Sequence, residues 1–119
     1  MLKKTLLIGL LAAWIGVGAV AAYANDLTGV WSCNDGGSYY VRQLGDDVWW
    51  YGEASPDSPG WSNVANGRLH GSMLRLKWAD VPKGGAMGSG TLHLEVLDDG
   101  RMVAVKKIGG FGGSEWTRY

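Results

Sequence analysis

After Asn25, apolar and polar positions alternate every second residue in short runs, and no stretch sustains a helical period. The first run, Thr28 to Cys33, stops at Asn34-Asp35-Gly36-Gly37. Ser38 to Leu44 and Val48 to Glu53 follow, separated by Gly45-Asp46-Asp47, a spacer that predicts a hairpin. Ser55 to Gly60 reads as a loop, because Pro56 and Pro59 cannot donate to a ladder. Trp61 to Leu69 predicts a weaker strand, interrupted at Asn66-Gly67. Past His70-Gly71, Leu74, Leu76 and Trp78 alternate with Met73, Arg75 and Lys77, the clearest one-sided strand of the chain. Val81 to Gly90 reads as the longest loop. Leu92, Leu94 and Val96 then face in, and Thr91, His93 and Glu95 face out. Asp98-Asp99-Gly100 is a turn signal, and Arg101 to Ile108 and Glu115 to Tyr119 complete the set.

Eight short strands in consecutive hairpins predict an all-β fold, a single small antiparallel up-and-down barrel. Closing it by pairing the last strand with the first removes both exposed edges. Eight strands enclose an interior that side chains fill, or that holds one small ligand.

Ahead of the strands lies a targeting pattern. Lys3 and Lys4 precede an uncharged apolar stretch from Leu6 to Ala22, and Ala22-Tyr23-Ala24 is a small-x-small cleavage site. We therefore expect a signal peptide over residues 1–24, a barrel domain over 25–119 and a secreted or periplasmic product with no membrane association after cleavage. The alternative is a retained anchor, since the apolar stretch approaches spanning length.

Composition narrows the function classes. Without Lys3 and Lys4, nine Lys and Arg face eleven Asp and Glu, a net charge of −2, and Lys106-Lys107 is the only adjacent basic pair after the leader. This argues against nucleic acid as a partner. A lone Cys33 excludes an internal disulfide, and its parity with Leu27 and Trp31 predicts burial. No metal-ligand spacing joins His70 and His93, no GxSxG elbow surrounds Ser89, and the glycine-rich stretches Gly84–Gly90 and Gly109–Gly113 lack a phosphate-loop pattern. The expectation is a non-enzymatic protein with no cofactor and no metal. Phe111, alone among glycines, reads as a lid or an anchor.

The ends of the barrel sequence carry Gly29-Val30-Trp31 and Trp116-Thr117-Arg118. In this the chain resembles the calycin barrels (lipocalins, avidins and fatty-acid-binding proteins), whose first strand begins Gly-x-Trp and whose last strand places an Arg over that Trp. The resemblance implies that Gly29, Trp31 and Arg118 form the structural signature of a closed barrel. The chain is shorter than most lipocalins and shows no flanking helix. The strings GVWSCNDGG, SYYVRQLGDDVWWYGE, WADVPKG and GGFGGSEWTR look still more like a group of small exported bacterial proteins. That likeness spans nearly the whole barrel sequence and implies no ligand.

The aromatic run Val48-Trp49-Trp50-Tyr51 must present rings to both faces of its strand, as must Tyr39-Tyr40. Such rings either brace a hairpin or form a platform for a flat ligand. The expected function is binding of a small apolar or aromatic ligand at the open end. Trp49, Trp50, Tyr51, Trp61 and Trp78 would form the site, with Tyr39, Arg42 and Asp80 as polar neighbours. The alternative is a module that binds a protein or a cell-surface glycan through exposed aromatics, without an internal cavity.

Overall fold

The computed structural model describes residues 26–119. The expected signal peptide and its cleavage site lie outside the described residues. Eight strands follow in order: β1 (Gly29–Cys33), β2 (Ser38–Leu44), β3 (Asp47–Glu53), β4 (Ser62–His70), β5 (Met73–Asp80), β6 (Ser89–Asp98), β7 (Arg101–Ile108) and β8 (Glu115–Arg118). Each pairs antiparallel with the next, and β8 pairs with β1 through Trp116↔Cys33, Thr117↔Ser32 and Arg118↔Trp31. The sheet is a closed up-and-down barrel, so no strand edge is left unpaired.

Alternation sets the two faces. Val48 and Trp50 of β3 are buried while Trp49 and Tyr51 are exposed; in β5, Leu74, Leu76 and Trp78 are buried between exposed Arg75 and Lys77. Leu92, Leu94 and Val96 complete the inner face of β6. Cys33 is a buried free thiol.

The two ends of the barrel differ. At one, the connections after β2, β4 and β6 are two residues each. Trp31 fills this end, its Nε1 donating to Leu27 O at 2.9 Å. The Arg118 guanidinium lies 4.5 Å from the Trp31 ring centroid. It donates to the carbonyls of Asp99, Thr28 and Asp26 at 2.7, 2.8 and 2.9 Å. Gly29 adopts φ +147°, and a Cβ there would sit 3.0 Å from Arg118 Nη1. The Gly-x-Trp and Arg pairing expected from the sequence is thus a physical seal.

At the other end four longer loops emerge: 34–37, 54–61, 81–88 and 109–114. Beneath them an aromatic plug fills the barrel. Tyr39 meets Trp50 edge-on at 5.0 Å and Trp116 at 5.8 Å, and Trp50 and Trp116 lie 5.5 Å apart. Phe111 enters from the last loop, meets Trp78 edge-on at 5.0 Å and is buried. The residue that reads as a lid or an anchor is part of the plug itself.

Three details depart from the alternation pattern. β4 runs unbroken through Asn66-Gly67, because the β5 backbone comes so close that a Cβ at Gly67 would lie 1.8 Å from Arg75 O. The glycine that reads as an interruption is a close-approach site. Ser89 and Gly90, which read as loop, pair with Ala79 and Trp78 and open β6. In β7, His93 pairs with Lys106 and Leu94 with Ala104, so Val105 is a bulge. Strict alternation from Met102 would carry Lys106 inward; the bulge turns it outward beside His93.

Candidate functional site

The loop end carries a shallow cavity of about 200 Å3 above the plug, walled by Trp61, Trp78 and Phe111, with Asn63, Asp35 and Asp80 as its polar groups. Each reaches the mouth for a local reason. Asn63 shares inward parity with Ala65 and Leu69 and is buried one position into β4. Asp80 ends β5, and its Oδ2 accepts the Gly88 N–H at 2.8 Å, tying loop 81–88 down. Asp35 caps its own turn, Oδ1 accepting the Gly37 N–H at 2.8 Å.

A polar relay runs under the mouth. Trp50 Nε1 donates to Asn63 Oδ1 at 2.9 Å, and the Tyr39 hydroxyl donates to Asp35 Oδ2 at 2.5 Å. The Tyr39 phenol is held well above its ordinary range, first by burial and then by its hydrogen bond to the Asp35 carboxylate; the side chain of Asn63 pulls the other way. This tyrosine stays protonated and serves as a fixed donor. Trp116 Nε1 is buried without a hydrogen-bond partner among the described residues. The mouth therefore offers aromatic faces and two carboxylates, and no Lys or Arg among the described residues lines it.

Beside the mouth, Glu53 and Lys83 form a latch. Lys83 Nζ contacts Glu53 Oε1 at 2.7 Å and also donates to the Ser55 carbonyl, joining loops 54–61 and 81–88. The Lys83 ammonium lowers the Glu53 pKa through a hydrogen bond and its charge, against the opposing effect of burial.

The sequence-predicted residues fall into two groups. Trp61, Trp78 and Asp80 line the mouth, and Tyr39 and Trp50 form the plug beneath it. Trp49, Tyr51 and Arg42 stand on the outer wall, where β2, β3 and β4 form a groove of about 440 Å3 with Tyr40 and Val64. There Tyr40 and Tyr51 stack at 6.3 Å and 17°. One site does not unite them, because adjacent residues of β3 face opposite sides of the sheet.

Sequence reasoning did not place Asn63 in the site, although its parity with Ala65 and Leu69 was readable. Among the described residues no group of three or more His, Cys, Asp and Glu side chains is placed to hold a metal ion. Comparison of the chain with protein-family models, with curated proteins and with solved structures gave no match, so the barrel and its mouth are defined by their own geometry.

Proposed function

We propose that this chain is an exported, non-enzymatic binding barrel of the calycin kind that takes a small ligand at its loop end. The observation that carries the reading is the mouth itself, where Trp61, Trp78 and Phe111 surround Asp35 and Asp80 with no basic side chain. Rings supply apolar contact, and ionised carboxylates only accept hydrogen bonds. The fitting ligand has a flat or apolar body and a cationic or hydrogen-bond-donating edge. The plug leaves only a shallow mouth, so the ligand sits at the rim and not deep in the barrel.

A titration with benzylammonium, benzyl alcohol and benzoate tests this, following indole fluorescence and amide shifts. Benzylammonium should bind best, benzoate should not bind, and Trp61→Ala should abolish the response. Absence of binding by all three, or preference for benzoate, would remove the mouth as the site.

A second reading has its own observation. Val30, Tyr40, Tyr51 and Val64 are cross-strand neighbours on the outer wall, and all are exposed. A module binding a protein or a glycan through this wall would lose retention in Trp49→Ala or Tyr51→Ala with its melting temperature unchanged. Retention that survives both substitutions would exclude it.

A further inference from the structure

No basic block is visible along the chain, yet the barrel assembles one. Arg68 of β4 pairs with Arg75 of β5, Arg75 with His93 of β6, and His93 with Lys106 of β7. Directly paired residues share a face, so these four side chains form one row across the outer wall. At the usual strand spacing it is about 14 Å long. Lys77 flanks the row one step along β5, and His70 flanks it along β4. The row borders a groove of about 530 Å3, lined by Gly67, Arg68, Arg75, Lys77, Thr91 and His93 among others.

Three observations set this wall apart from an ordinary solvated face. First, like charges directly opposite across strands destabilise a sheet, and here Arg68 faces Arg75 directly, with Lys106 on the far side of His93. Second, the charge is poorly neutralised. Asp46 and Asp47 approach Arg68 at 4.0 and 3.7 Å, but among the described residues Arg75, Lys77 and Lys106 form no salt bridge. Glu95 shares the face of His93 but pairs with Met73 and Val103, off the row. Third, Lys106 reaches the row only because of the Val105 bulge, and bulges re-aim side chains at functional sites.

We infer that this wall is a binding site for a linear anionic glycan, a chain bearing carboxylate groups on successive sugars. A row of cations suits an extended polyanion better than a single anion. Asn66 and Thr91, which flank Lys77 across the strands beside the row, supply groups that can hydrogen-bond sugar hydroxyls. Trp49 pairs with Asn66, which lines both outer grooves, so one exposed indole stands at the end of the basic groove for one sugar face. Single-stranded nucleic acid favours an aromatic ring for each successive base, and no Phe, Tyr or Trp lines the basic groove. The site is separate from the mouth and does not depend on it.

Calorimetric titration with oligogalacturonides, a neutral maltooligosaccharide of equal length and an oligo-dT strand tests the inference. The uronide should bind at low ionic strength and weaken with added salt, and the neutral sugar should not bind. Arg75→Gln and Lys106→Gln should each lower uronide affinity about tenfold, the size of a lost charge-assisted contact. The melting temperature should stay level or rise in both, because Arg75→Gln relieves the repulsion from Arg68 and Lys106 has no salt bridge to lose among the described residues; a purely structural row would lose stability instead. If Arg75→Gln does not fold, Lys106→Gln at the exposed bulge carries the test alone. Absence of uronide binding, undiminished binding in the Arg75→Gln/Lys106→Gln double variant, or tighter binding of oligo-dT would each overturn the assignment.

Discussion

Tyr39 is completely buried, yet its hydroxyl donates to Asp35 Oδ2, 2.5 Å away at the barrel mouth. The contact joins the plug to the rim. Tyr39→Phe removes the donor and leaves the Asp35 oxygen short of a partner. The expected cost is about 1–2 kcal/mol, seen as a fall in melting temperature of roughly 5–10 °C by calorimetry. An unchanged transition would show that the relay does not contribute to the fold.

The seal at the opposite end has a sharper signature. Arg118 combines three carbonyl contacts with its place over Trp31. Arg118→Ala is expected to destabilise the barrel by about 2–4 kcal/mol, from the lost hydrogen bonds and cation–π contact. Arg118→Lys should recover less than half of that, because an ammonium cannot reproduce a planar fork. Chemical denaturation of the two variants side by side measures the difference.

Phe111 belongs to a glycine-rich loop but packs as a core residue. Phe111→Ala should cost about 3–4 kcal/mol, within the range for deleting a buried ring. It should also deepen the mouth toward Trp50 and Trp116, so the variant is expected to take a bulkier aromatic ammonium than the parent. Competition against benzylammonium reads this out.

Cys33 is buried, and burial, first among its causes, lifts its thiol pKa to about 12. Only the thiolate is nucleophilic, so the native protein should react very slowly with a disulfide reagent at pH 8. The same reagent should react at the normal rate in denaturant. Rapid labelling of the native protein would mean that β1 and the last loop open readily.

His93 gives a pH dependence with a defined sign. Its pKa lies below the ordinary histidine value, first through burial and then through the positive charges of Lys106 and Arg75. Between the depressed folded value and the unfolded value near 6.5, the unfolded state binds more protons. The His93 contribution therefore improves stability as pH rises through this window and is level above it. His93→Gln should flatten that part of the stability profile in denaturant titrations at pH 5–8.

Much of the architecture was readable from alternation. The inner sides of β3, β5 and β6 followed from every second residue, and Gly29, Trp31 and Arg118 announced closure. What escaped was whatever depends on a neighbouring strand. Gly67 looks like a break until the carbonyl of Arg75 is placed against it. Phe111 reads as a lid or an anchor until Trp78 and Trp116 are placed against it. The mouth drew Trp61, Trp78 and Asp80 together but left Trp49, Tyr51 and Arg42 outside, a split that the β3 parity already contained. The basic row was invisible because its members lie on four strands and are joined only by register.

The bulge at Val105 makes the outer wall depend on local strand pairing as well as on composition. Side chains change face with every residue along a strand, so a regular β7 with Val105 held in line, and not bulged out, would shift the phase of everything after it. Lys106 would then point into the core and Lys107 onto the wall, with no change in the number of charges. Two chains of identical charge content could thus carry opposite surfaces on this side of the barrel. A count of lysines says nothing about which surface forms; the bulge at Val105 decides it.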